Sequence, residues 1–339
     1  MKKLKPNRKK YLLRRSRKEE LKRRKRKSRN SYVISEIGKK LELKRNPQFK
    51  EVIAPENLIL DSQNIDKVLD FISKIKKFGD KGYYISLRLD NIIGLGDGAI
   101  AMLLSVISDL ENKRIFFSGE KPKNEIARNK LERSGFFKHM NGSVSKTNKK
   151  SKNKILRTGD INTHQEILIP EIHKAMETVW GVDARCPALY GGLGEMMRNS
   201  CDHAFFDKNS ITWHIGISHF EDENMCKFSF VDNGEGILKT YQKKGLINKI
   251  SNYFSNNADI LETAFRDGIT SRTGLSWRGK GLPTIFEMYD DGIITNLVVI
   301  TNDVFLDFDK NNFKIIQNIF SGTYYFWKID KKCEPSYFI

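Results

Sequence analysis

The ten residues Glu195-Met196-Met197-Arg198-Asn199-Ser200-Cys201-Asp202-His203-Ala204 constrain this chain more than any other stretch. On a helix at about 100° per residue, with Glu195 at zero, Asn199 falls at about +40°, Asp202 at about −20° and His203 at about +80°. One face therefore carries a carboxylate, an amide, a second carboxylate and an imidazole. Tyr190, Leu193, Met197, Cys201 and Ala204 gather on the opposite face, between about 160° and 240°. Such a helix buries its back in a core and turns four polar groups outward. Taken alone, the pattern more often marks an amphipathic surface helix than a ligand site.

Three further landmarks change that balance. Phe228-Ser229-Phe230-Val231 reads as a strand and runs into Asp232-Asn233-Gly234-Glu235-Gly236. An acid at a strand end can accept a hydrogen bond from an exocyclic amine, and the glycines let the backbone approach a ligand closely. Farther on, Arg278-Gly279-Lys280-Gly281-Leu282 leads into a helical pattern over Pro283–Tyr289. Glycine-loop N–H groups at a helix N-terminus, with a lysine beside them, suit a polyphosphate. Ser321-Gly322-Thr323 then opens a strand expected over Tyr324–Ile329.

In this order and spacing the pieces resemble the N, G1 and G2 boxes and the final Gly-Thr strand of the GHKL superfamily, across roughly Ile161 to Lys332. That group includes gyrase subunits, chaperones, mismatch-repair ATPases, sensor histidine kinases and anti-sigma serine kinases. Glu-x-x-x-Asn-x-x-x-His-Ala is closest to the anti-sigma kinases, and Glu-x-x-x-Asn-x-x-Asp also fits the repair and chaperone ATPases. The resemblance implies an α/β sandwich, a mixed and mostly antiparallel sheet with helices on one face. It implies ATP and Mg²⁺ as cofactors. Glu195 would be the general base that aligns water on the γ-phosphate, and Asn199 would ligate Mg²⁺ through its amide oxygen. Asp232 would receive the adenine amine, with Gly234 and Gly236 passing beneath the base. Gly279, Lys280, Gly281 and Leu282 would hold phosphates, and Thr323 would join the water network at the adenine. Asp202 and His203 serve either the nucleotide or neighbouring backbone. Arg272 and Arg278 either reach the γ-phosphate from a lid over the nucleotide or stay solvated.

The rest of the chain divides by composition. Residues 1–45 form a basic tail: the first 30 residues alone carry +15 of the net +19. With almost no apolar face, this tail cannot bury enough surface to fold alone, and its charge favours DNA or RNA through residues 1–44. Residues 46–140 alternate strand and helix, with strands expected at Val52–Leu60, Tyr83–Leu89 and Arg114–Ser118. Helices are expected at Ile65–Phe78, Ala99–Leu110 and Glu125–Lys138. Asp90–Leu104 followed by Arg114–Gly119 resembles a STAS domain, the anti-sigma-antagonist fold. Its loop Gly94-Leu95-Gly96-Asp97-Gly98 lacks the phosphorylatable serine of those antagonists, and Asp97 reads as a helix N-cap. Residues 141–160 read as a linker, 161–332 as the GHKL-like body, and 333–339 as a short C-terminal tail.

No apolar run is long enough to span a membrane and no apolar signal core opens the chain, so a cytoplasmic protein is expected. The four cysteines lack metal-ligand spacing. Three functions follow from these readings. The first is a Mg²⁺-dependent ATPase switch whose lid couples nucleotide state to a regulatory protein partner or nucleic acid. The alternatives are an anti-sigma-type serine/threonine kinase acting on a separate antagonist, and a nucleotide-binding nucleic-acid module without turnover. A homodimer is compatible with each. No phosphoacceptor and dimerisation helix pair is present, which argues against an autophosphorylating histidine kinase.

Overall fold

Apolar spacing in the first folded stretch switches repeatedly between period two and period 3.6, and strands and helices alternate accordingly. The computed structural model describes residues 49–137, 154–158, 165–202, 213–243, 245, 247, 254–268 and 281–333. The first layer runs β1 (Phe49–Ile53), β2 (Asn57–Leu58), α1 (Ile65–Asp80), β3 (Tyr84–Arg88), β4 (Gly94–Leu95), α2 (Asp97–Asn112), β5 (Phe117–Glu120) and α3 (Glu125–Arg133). Helix α1 buries Ile65, Val68, Leu69, Ile72 and Ile75, one stripe at helical spacing. In β3 only Ile85 and Leu87 are buried, the alternation of a strand with one wet face. Strand β5 starts at Phe117 and not at Arg114, because Arg114 takes φ 65° directly after α2. The sheet order is β1-β3-β5, with β3 and β5 parallel, and β2 pairs with β4, also in parallel.

The second layer contains β6 (Lys154–Thr158), α4 (Ile169–Trp180), α5 (Pro187–Asp202), β7 (Trp213–Phe220), β8 (Met225–Asp232) and α6 (Ile237–Lys243). It continues with α7 (Asn257–Arg266), α8 (Gly281–Asp290), β9 (Thr295–Asp307) and β10 (Asn312–Ile329). Its five-stranded sheet has the order β6-β7-β8-β10-β9, and every neighbouring pair is antiparallel. The protein is thus a mixed α/β structure with both parallel and antiparallel pairing. Lys154–Thr158, read from sequence as the end of a linker, is instead an edge strand on β7. The strand expected over Tyr324–Ile329 is the second half of β10, and β9 and β10 each continue through a bulge.

Both faces of this sheet are buried along β8, most of β9 and the second half of β10. Along β9, Leu297 and Val299 pack with α4, α5, α7 and α8, while Val298 and Ile300 pack with α1 and α2. Along β10, Tyr325 and Trp327 take the first side and Tyr324 the second. Apolar residues on both parities explain why these strands read as unbroken apolar runs. They also correct the expectation of helices on one face. The helices of the second layer do lie on one side, but α1 and α2 of the first layer cover the other. Helix α2 is sandwiched, so nearly every residue from Gly98 to Leu110 is buried. Residues 50–339 accordingly cluster as one unit, and Met1–Phe49 as another, of which only the last residue is described.

The first turn of α2 explains the glycine loop before it. A Cβ at Gly98 would collide with the Tyr324 hydroxyl and lie 2.7 Å from the ring carbon that bears it. Asp97 is not the N-cap, a place taken by Gly96. It is the first helical residue, accepting from the Ser218 hydroxyl at 3.1 Å and pairing with Lys130 at 3.1 Å. Tyr324 is 2% exposed and has nowhere to retreat. Gly98→Ala is therefore expected to destabilise the protein by about 1–3 kcal/mol through overpacking, measured by chemical denaturation.

Candidate functional site

Helix α5 is fixed by its apolar back. Leu189, Leu193, Met196 and Met197 are fully buried in the core, while Tyr190 and Cys201 are half-buried at its edge. Ala204 lies outside the described residues. This orientation turns Glu195 and Asn199 toward the start of α8. A Cβ on Gly281 would stand 3.0 Å from Glu195 Oε2 and 3.4 Å from both Asn199 amide atoms. The first residue of α8 thus sits directly against the polar face of α5, and a side chain there would press on both groups. Glu195 Oε1 is paired with Arg198 at 2.9 Å, which holds the carboxylate in place. Asn199 Nδ2 is buried and makes no hydrogen bond among the described residues. Leu282 turns its side chain into the core, so its first-turn N–H is what it can offer a ligand.

Asp232 ends β8 and is 6% exposed. Its Oδ1 accepts the Gly234 N–H at 2.8 Å and the Thr323 N–H at 3.2 Å; its Oδ2 accepts the Ser200 hydroxyl at 3.0 Å. Three of the roughly four lone-pair positions of a carboxylate are thereby used. Burial pushes its pKa up to about 6, against the lowering effect of these three donors. Gly234 is required by proximity, since its Cβ would stand 2.9 Å from Asp232 Oδ1.

Thr323 reaches Asp232 because β10 bulges. The ladder passes from Phe320 opposite Asn302 to Thr323 opposite Thr301, leaving Ser321 and Gly322 as extra residues. Gly322 takes φ 115° and lies against the Asp232 carbonyl, where no Cβ fits.

The structure therefore brings together Glu195, Asn199 and Gly281 on one side, and Asp232, Gly234, Gly322 and Thr323 on the other. Ser200 links the two, bonding both Asp232 and the Met196 carbonyl of its own helix. Asp202 is the last residue of α5. His203, Arg272, Arg278, Gly279 and Lys280 lie outside the described residues, as do residues 248–253 and 269–277 of the lid expected over 238–277. Among the described residues, no cluster of His, Cys, Asp and Glu forms a metal site, and no helix is long and apolar enough to cross a membrane.

Sequence reasoning missed Ser200 and the run Thr301-Asn302-Asp303, in which Thr301 and Asn302 fasten the loop after Asp232 and Asp303 accepts from Asn257 of α7. The signal for the second was present: three polar residues interrupt an otherwise apolar strand. In comparisons with protein-family models, curated proteins and solved structures, the chain matches none.

Proposed function

We propose that this protein binds ATP with Mg²⁺ in the manner of GHKL proteins and hydrolyses it slowly as a switch. The observation that carries this is the convergence of separated segments on one place. A buried acid at a strand end, glycine turns around it, and a helix presenting a carboxylate and an amide to the start of a second helix are what an adenine nucleotide needs. Asp232 would accept the adenine amine, and the first turn of α8 would offer N–H groups to phosphate. Glu195, tethered through one oxygen, would hold a water with the other and take its proton. The residues also fit the metal. The orphaned amide of Asn199 is buried beside the glycine that starts α8, and rotation of that amide presents its oxygen at the same point. Mg²⁺, a hard ion that favours oxygen ligands, supplies charge neutralisation on the phosphates. The surroundings of Asp232 and Asn199 resemble the adenine and metal ends of a GHKL sandwich, and the first layer is the STAS-like part of that assignment.

ATP labelled at the γ-phosphate tests the activity. Free phosphate is the expected product; label on a partner protein identifies a kinase instead, and the absence of both identifies a binding module without turnover. The basic tail extends the proposal to nucleic acid. Deleting residues 1–44 is expected to abolish DNA or RNA binding in a filter or mobility assay while ATP affinity stays unchanged, because the charge is concentrated there. Retained binding with an unchanged salt slope would place the basic surface elsewhere.

A further inference from the structure

The polar break in β9 does more than interrupt a strand. Asn302 is 8% exposed and holds φ 54°, a left-handed conformation in the middle of a ladder. Its Oδ1 accepts the N–H groups of Leu238 at 3.0 Å and Lys239 at 3.3 Å, capping the first turn of α6 from another strand. Its Nδ2 donates to the Glu235 carbonyl at 2.8 Å. The Asn302 amide also fills the space that a Cβ at Gly236 would need, which adds to that glycine's requirement at φ 86°. Next to it, Thr301 Oγ1 accepts the Ile237 N–H at 3.0 Å and donates to the Gly322 carbonyl at 3.0 Å. The far end of the loop after Asp232, where it enters α6, and the bulge that aims Thr323 at Asp232 are thus tied to two adjacent side chains.

We infer that Asn302 is a positioning residue for the adenine side of the site: its amide fixes Glu235 and Gly236 against α6 and so sets nucleotide affinity through the loop. The inference rests on the nucleotide reading of Asp232. It adds a residue with no place in the motifs, more than 60 positions from the loop it holds. The donor and the acceptor are both needed. A carboxylate at this position would still cap α6 but would meet the Glu235 carbonyl with no proton to offer.

The test uses the full chain, ATP·Mg²⁺ titration calorimetry and amide hydrogen exchange. Asn302→Gly keeps the left-handed backbone accessible and removes both bonds. It is expected to weaken ATP about tenfold, because the loop must then be ordered on binding, and to speed exchange across residues 234–239. Asn302→Asp is expected to keep the α6 amides protected yet bind ATP as poorly as Asn302→Gly, and it carries the test if the glycine variant does not fold. Asn124→Gly removes a comparable cap, the bond from the Ala127 N–H at 3.0 Å on α3, and is expected to leave ATP affinity unchanged. Wild-type affinity in the Asn302 variants, or full recovery by Asn302→Asp, would overturn the inference and leave the nucleotide reading standing. Equal loss in Asn124→Gly would reduce the effect to general stability and overturn it too. Absence of ATP binding by the wild type would remove the reading and the inference together.

Discussion

Asp232→Asn is expected to weaken ATP binding at least tenfold without harming the fold. A bond from the adenine amine to a buried carboxylate is charge-assisted and is worth about 1.5–3 kcal/mol. The amide fits the vacated network. Its oxygen can accept from Gly234 and Thr323, and its nitrogen can donate to Ser200 Oγ, whose proton then serves the Met196 carbonyl. What it loses is acceptor capacity toward a ligand amine. The same variant should alter the pH dependence of stability. The Asp232 carboxyl titrates near 6 when folded, above its ordinary 3.8, so the folded state holds that proton more tightly. The resulting stabilisation is complete below about pH 4 and is lost as pH rises through about 6; about two pKa units correspond to about 3 kcal/mol. Denaturation of the wild type relative to Asp232→Asn should therefore show the wild type losing ground between pH 4 and 7. Parallel curves would mean that Asp232 is not buried as an acid.

Glu195→Gln is expected to keep ATP affinity and lose turnover by about 10²–10⁴-fold. The amide is nearly isosteric and can hold water, but it cannot accept a proton. Asn199→Ala should behave differently and lose Mg²⁺-dependent affinity, because it removes the buried amide beside Gly281. Calorimetry with and without Mg²⁺, together with phosphate release, separates the two. If both variants lose binding equally, the polar face of α5 is a folding element. If Glu195→Gln turns over ATP at the wild-type rate, the base lies elsewhere.

Much of this site is legible in the sequence because its parts are local. The helical spacing that sets Leu193 and Met197 against Glu195 and Asn199 is a property of one turn and its neighbours, and the structure preserves it. The end of β8 at Asp232 is likewise visible where an apolar run meets glycines. What sequence spacing does not carry is pairing between distant segments. Asp97 resembles a cap until Ser218 is placed beside it, 121 residues away. Helix α2 reads only as apolar, and its all-round burial makes sense once the second face of the large sheet is found beneath it. Asn233 donates to Asp109 of α2 at 3.3 Å, so even the loop of the candidate site touches a layer that composition separates from it. The bulges of β10 on either side of Phe320 are hidden for the same reason, since a register shift exists only relative to a partner strand.

Inosine triphosphate isolates the contact between Asp232 and the adenine amine, because it carries an oxo group where ATP carries that amine. Titration calorimetry of both nucleotides with Mg²⁺ into the wild type and Asp232→Asn isolates this one contact. The expected result is at least tenfold preference for ATP in the wild type and loss of that preference in the variant. Equal affinity of the wild type for both nucleotides, or a preference that survives in Asp232→Asn, would mean that Asp232 does not read the adenine amine.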